Sequence, residues 1–151
     1  MVIDEWLWAD LAGENTKVKR REAFQFIEAI YNKCDRVVTV KGSRFDQKSM
    51  GLFKHPDVIG LLILKLFKGQ FWYNSNKVVI LDEDDLPELP EQLATEVKDD
   101  DHYLVRAYLT GQVSEIVTSD GPLMKVLTRH NIPCKHREEF VPAYISEYGK
   151  K

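Results

Sequence analysis

Ile116-Val117-Thr118-Ser119-Asp120 is a β-branched run that ends in an acid and passes straight into the helical spacing of Leu123, Val126 and Leu127. Met1-Val2-Ile3-Asp4 follows the same plan, with Trp6, Leu7 and Leu11 able to share a helix face behind it. Short apolar strands that feed helices build a parallel sheet, and such sheets carry their sites at the carboxyl edge. Asp101, opening Asp101-His102-Tyr103-Leu104-Val105-Arg106-Ala107, heads a further helix whose start can reach that edge. Asp4, Asp101 and Asp120 together form a metal-site pattern.

The segments between these landmarks alternate in the same way. Lys17–Asn32 is an amphipathic helix with Val18, Ala23, Phe26, Ile27 and Ile30 on its apolar face, and Val37–Val40 is a short β-branched strand. Ser43 to Leu52 has helical character. Pro56 fits a helix start, and Asp57 to Phe67 is expected to be the most deeply buried helix. Phe71-Trp72-Tyr73 reads as an aromatic extended piece packed into the core or onto another subunit, and Lys77–Leu81 as a strand. Asp82 to Pro90 is acidic and proline-containing, which marks a surface loop. Helices are expected at Asp101–Gly111, Asp120–Asn131 and Glu138–Tyr148, with an edge strand at Ile132-Pro133-Cys134. The fold class that follows is α/β, a three-layer α/β/α domain with a central, mostly parallel sheet, in a single domain over residues 1–151.

Composition narrows the functional classes. With 21 Lys and Arg against 24 Asp and Glu, the net charge is −3, so nucleic acid would have to bind through a local patch. Lys17, Lys19, Arg20 and Arg21 are the densest basic cluster and the candidate RNA contacts, although four charges at a helix start also make an ordinary solvated face. Cys34 and Cys134 are far apart and belong to no Cys-x-x-Cys pair, which argues against disulfides and zinc ribbons. His130, Cys134 and His136 lack a fourth zinc ligand. The apolar run from Val58 to Phe67 is too short for a membrane span, which takes about 20 residues. No basic-then-apolar leader is seen, so the expected location is cytoplasmic.

Each of the three aspartates precedes a helix, and capping alone explains any one of them. A cluster is different, because two unit charges about 5 Å apart repel by about 3 kcal/mol at an effective dielectric of about 20. Carboxylates gathered at one edge therefore call for a cation or a proton among them. Oxygen-only ligands suit Mg2+ or Mn2+, ions that activate water against a phosphodiester.

From Asp101 to Leu123 the chain resembles a PIN domain, the fold of many metal-dependent ribonucleases. Asp101 is followed by Leu104 and Ala107, then by Ile116-Val117-Thr118-Ser119-Asp120 and Leu123, while Ile3-Asp4 matches the family's first acid and Ile132 with Phe140 its closing segment. The resemblance implies that Asp4, Asp101 and Asp120 are catalytic, metal-holding acids and that Thr118 or Ser119 supports them by hydrogen bonding. Asp46 is the nearest counterpart of the acid, usually Glu, that the family carries on the helix after its second strand. Glu5 and Trp6 stand where the family commonly has a small hydroxyl residue and an asparagine; Glu5 reads either as a substitute ligand or as exposed in the first helical turn, and exposure is the expectation.

The function expected is endoribonuclease hydrolysis of single-stranded or loop RNA, leaving 5′-phosphate and 3′-hydroxyl ends. Two alternatives stand beside it: a catalytically weak PIN-like module that binds RNA or a protein partner, and the toxin ribonuclease of a toxin and antitoxin pair, whose partner would be an antitoxin. The resemblance also implies a homodimer.

Overall fold

In the computed structural model, which describes residues 1–52, 58, 61, 62, 65 and 67–148, five strands form one wholly parallel sheet in the order β3-β2-β1-β4-β5. The strands are β1 (Val2–Ile3), β2 (Val37–Val40), β3 (Val78–Leu81), β4 (Ile116–Thr118) and β5 (Cys134–His136). Around them run α1 (Trp6–Ala12), α2 (Lys17–Asn32), α3 (Arg44–Leu52), α4 (Glu91–Glu96), α5 (His102–Ala107), α6 (Gly121–Arg129) and α7 (Arg137–Tyr148). The result is a three-layer α/β/α domain.

The three inner strands are buried along their whole length, as expected of parallel strands covered by helices on both faces. Val2 pairs with Val38 on one side and Ile116 on the other, which makes the two-residue β1 the centre of the sheet. The chain leaves β1 toward β2 and β3, then returns to add β4 and β5 on the opposite side. The order therefore reverses at β1 and β4, and their carboxyl ends open onto the crevice where such sheets bind ligands.

Local chemistry explains most of the helix limits. Thr16 caps α2 by accepting the Lys19 amide, and Asp120 caps α6 by accepting the Leu123 amide at 2.9 Å. α5 runs into a π-helical turn at Tyr108–Gln112, which stops where Gly111 takes a φ of 75°. Beneath the sheet edge, Trp8 gathers Phe45, Phe67 and Trp72, with ring centroids 4.8 to 6.0 Å apart.

Four expectations change. Phe71 and Trp72 belong to a π-helical turn, Phe67–Trp72, because their rings turn inward onto Trp8 and Phe67. The stretch read as loop up to Pro90 contains a short 3-10 turn at Glu83–Asp85, and the helix α4 follows it directly. The last strand is Cys134–His136, two residues later than expected, with Ile132 buried ahead of it in the core. The helix start at Pro56 and most of Asp57 to Phe67 lie outside the described residues; of that span, Val58, Leu61 and Leu62 are helical and 70%, 41% and 57% exposed, so these three do not enter the core. An apolar stripe at helical spacing fits a covered or an open face equally well, and spacing cannot tell them apart. Among the described residues, no helix is long and apolar enough to cross a membrane.

Candidate functional site

A cavity of about 390 Å³ opens at the crevice between the carboxyl ends of β1 and β4. Four carboxylates line it, those of Asp4, Glu5, Asp101 and Asp120, together with the cations Arg44, Lys48 and Lys98. Asp4 arrives from the end of β1, Glu5 from the residue before α1, Asp101 from the residue before α5, and Asp120 from the cap of α6.

The hydrogen bonds separate these acids into different roles. Asp4 is buried and engaged through both oxygens: its Oδ1 accepts the Trp6 amide at 3.0 Å, while Oδ2 accepts the Thr118 hydroxyl and the Ser119 amide. Burial still raises its carboxyl to about 6, against the opposing pull of the Thr118, Trp6 and Ser119 hydrogen bonds. Thr118 Oγ1 also accepts the Asp120 amide at 3.0 Å, so one hydroxyl ties the first acid to the last. Ser119 supports Asp4 through its backbone amide.

Asp120 spends one oxygen on its cap and lies 3.5 Å from Lys98 through the other. Asp101 differs from both. It is only 9% exposed, caps nothing, and among the described residues its carboxylate has neither a hydrogen bond nor an ion pair. Burial, followed by the charges of Glu5 and Asp120, pushes its pKa upward. Capping thus explains Asp120, partly explains Asp4, and leaves Asp101 without a structural reason.

Glu5 lines this site, against the expectation that it would be exposed. Its side chain is 19% exposed, with Oε1 receiving Arg44 Nε at 2.7 Å and Oε2 buried without a partner. The Tyr103 hydroxyl is also buried without a partner; burial and the charges of Glu5, Asp4 and Asp101 raise its pKa strongly. Exposure in a first helical turn is the ordinary expectation for Glu, and only the approach of Arg44 and Tyr103 from other elements overrides it.

Asp46 does not line the cavity. Its carboxylate accepts the Gly42 amide at 2.9 Å and secures the turn between β2 and α3. The basic cluster also lies elsewhere: Lys17 and Arg21 are exposed on α2, Lys19 is paired with Glu138, and none of the four residues lines the cavity. The cations beside the acids are Arg44, Lys48 and Lys98, which are scattered in sequence. His130, Cys134 and His136 go to separate partners, Glu96, Thr128 and Ser119.

No family model, curated protein or solved structure matches this chain. All the donor atoms of the cavity's acids are oxygens, which fits a hard divalent ion, and Asp101 and Glu5 Oε2 are available to one. As they stand, no three His, Cys, Asp or Glu side chains among the described residues converge closely enough to hold an ion.

Proposed function

We propose that the chain is a PIN-like endoribonuclease that hydrolyses RNA phosphodiesters with Mg2+ or Mn2+ in the acid cavity. The observation that carries this reading is Asp101, a residue only 9% exposed whose carboxylate has no hydrogen bond or ion pair among the described residues and opens onto the same cavity as Asp4 and Asp120 at the switch point of a parallel sheet. Keeping such a group ionised costs free energy that the charges of Lys98 and Arg44 offset only in part, and perturbed carboxylates of this kind cluster at functional sites. A cation bound there would lower the pKa of a coordinated water and offset charge on the phosphate.

The chain's own residues divide the remaining work. Asp101 and the outer oxygen of Asp120 face the cation, while Asp4 holds the carboxyl ends of β1 and β4 together through Thr118 and Ser119. Lys48 and Lys98, with side chains 40% and 74% exposed at the cavity, are placed to meet the phosphate backbone. With Mn2+ and a stem-loop RNA, the parent should cleave within the loop. The Asp101→Asn, Asp120→Asn double variant should lose at least about a hundredfold in rate while remaining folded by circular dichroism. Undiminished cleavage by the folded variant would reject the assignment.

One observation favours a second reading, a binding module with little catalysis. Asp4 already accepts three hydrogen bonds within the protein, which leaves it at most one lone pair, on Oδ1, for a metal. In that case RNA or a protein partner binds equally well in the presence of a chelator, and no cleavage accompanies it.

A further inference from the structure

We infer that a second cavity, beside the acids at the carboxyl edge of the sheet, is a nucleobase pocket that holds one base of the RNA strand whose phosphodiester lies in the acid cavity. The inference rests on the RNA reading above and concerns how the strand is held.

This cavity, of about 350 Å³, opens at the carboxyl end of β2, where Val40, Gly42 and Ser43 line it, and α5 adds His102 and Tyr103. Its volume lies at the small end of the roughly 300 to 1,000 Å³ usual for pockets that take organic ligands. Arg44 lines both cavities and so forms the wall they share. A strand with one phosphate among the acids therefore brings a neighbouring nucleotide to this second opening.

The chemistry of the lining suits a flat, neutral, polar group. Both arginines are already matched by acids, Arg44 Nη1 by Asp100 at 2.8 Å and Arg106 Nη1 by Glu83 at 3.3 Å, so the cavity does not select an anion. Arg44 is held at Nε by Glu5 and at Nη1 by Asp100, which fixes the plane of its guanidinium, a surface on which bases stack. Groups that can read a base edge stand around it. Gln47 Nε2 donates to the Gly42 carbonyl at 2.9 Å, leaving Oε1 as an acceptor. His102 Nε2 lies 2.9 Å from the Val97 carbonyl, and because a carbonyl only accepts, Nε2 carries the proton and Nδ1 of the neutral ring is a second acceptor. The donor is Tyr103, a residue 8% exposed whose hydroxyl is buried with no hydrogen bond. Such a hydroxyl costs free energy that an incoming acceptor recovers. Base edges offer donors and acceptors side by side, which a phosphate does not.

NMR titration of the parent in EDTA, which stops any metal-dependent cleavage, tests this with the nucleoside 5′-monophosphates of the four RNA bases as probes and inorganic phosphate as the control. At least one nucleotide should give saturable shifts at the Gly42 amide and the Gln47 side-chain amide, and phosphate alone should give none. Tyr103→Phe should weaken that nucleotide about fivefold or more, while its thermal melt stays level with the parent or rises, because the hydroxyl removed had no partner. Arg44→Lys keeps the charge but loses the flat face, and should weaken binding to a similar degree. Shifts that phosphate reproduces, or binding undiminished in both variants, would overturn the inference. If the parent cleaves RNA with Mn2+ while no nucleotide at millimolar concentration moves these signals, the base pocket falls and the nuclease reading stands. Nucleotide binding here in a parent that cleaves nothing would keep the pocket and reject the nuclease reading.

Discussion

Asp4 carries an electrostatic cost that can be measured apart from any activity. Its carboxyl titrates at about 6 in the folded chain against 3.8 for an unperturbed aspartate. Below the lower value both states hold the proton, and between the two values only the folded state does. As pH rises through 6, the stabilising contribution is lost, leaving the folded state about 3 kcal/mol worse off on this account. Urea unfolding from roughly pH 4 to pH 7 should therefore show the parent losing about that much relative to Asp4→Asn, whose side-chain oxygen can still accept the Trp6 amide. Parallel pH profiles for the two proteins would show that Asp4 is not responsible. Asp120 and Thr118 were legible in the sequence because their partners are local or lie in the neighbouring strand. Glu5 was not, since what buries it comes from α3 and α5, and a first-turn glutamate carries no mark of a distant arginine or tyrosine.

Among the elements, α7 is joined to the opposite end of the chain by a charge. Arg137, at the start of α7 and 2% exposed, sends Nε and Nη2 to Asp10 Oδ2 at 2.8 Å each and Nη1 to Glu22 at 2.8 Å. Its guanidinium carbon lies 5.5 Å from the Trp6 ring centroid, and Trp6 in turn donates its indole N–H to the Val117 carbonyl at 3.1 Å. Removing one partner leaves a buried charge without compensation, so Asp10→Asn or Arg137→Met should cost about 3 to 5 kcal/mol in urea unfolding. The pair Asp10→Asn, Arg137→Met should cost clearly less than the sum of the two single changes. A purely additive double variant would contradict that account. The strands were readable as elements because buried β-branched runs have few other uses, whereas α4 is one short polar turn after Pro90 and offers no apolar period to detect.

For the molecule as a whole, the apolar stripe of Val58, Leu61 and Leu62 reads as core in the sequence but stands on the surface. Leu61→Ser and Leu62→Ser should change unfolding free energy by less than about 1 kcal/mol, where truncating core leucines costs about 2 to 5. A loss of core size would place that helix inside. Burial on this scale depends on what lies opposite a face, and a single chain read by its period does not contain that information. The short central strand bears on the order in which the domain assembles. β1 contributes two residues and depends on β2 and on β4, whose Ile116 pairs with Val2 across most of the chain. Loop-closure entropy slows such distant pairing, so docking of β4 onto β1 is expected to come late in folding. Until then Asp4 lacks the Thr118 hydroxyl and Ser119 amide that β4 brings to it, and the desolvation of its carboxyl is first felt when the sheet closes.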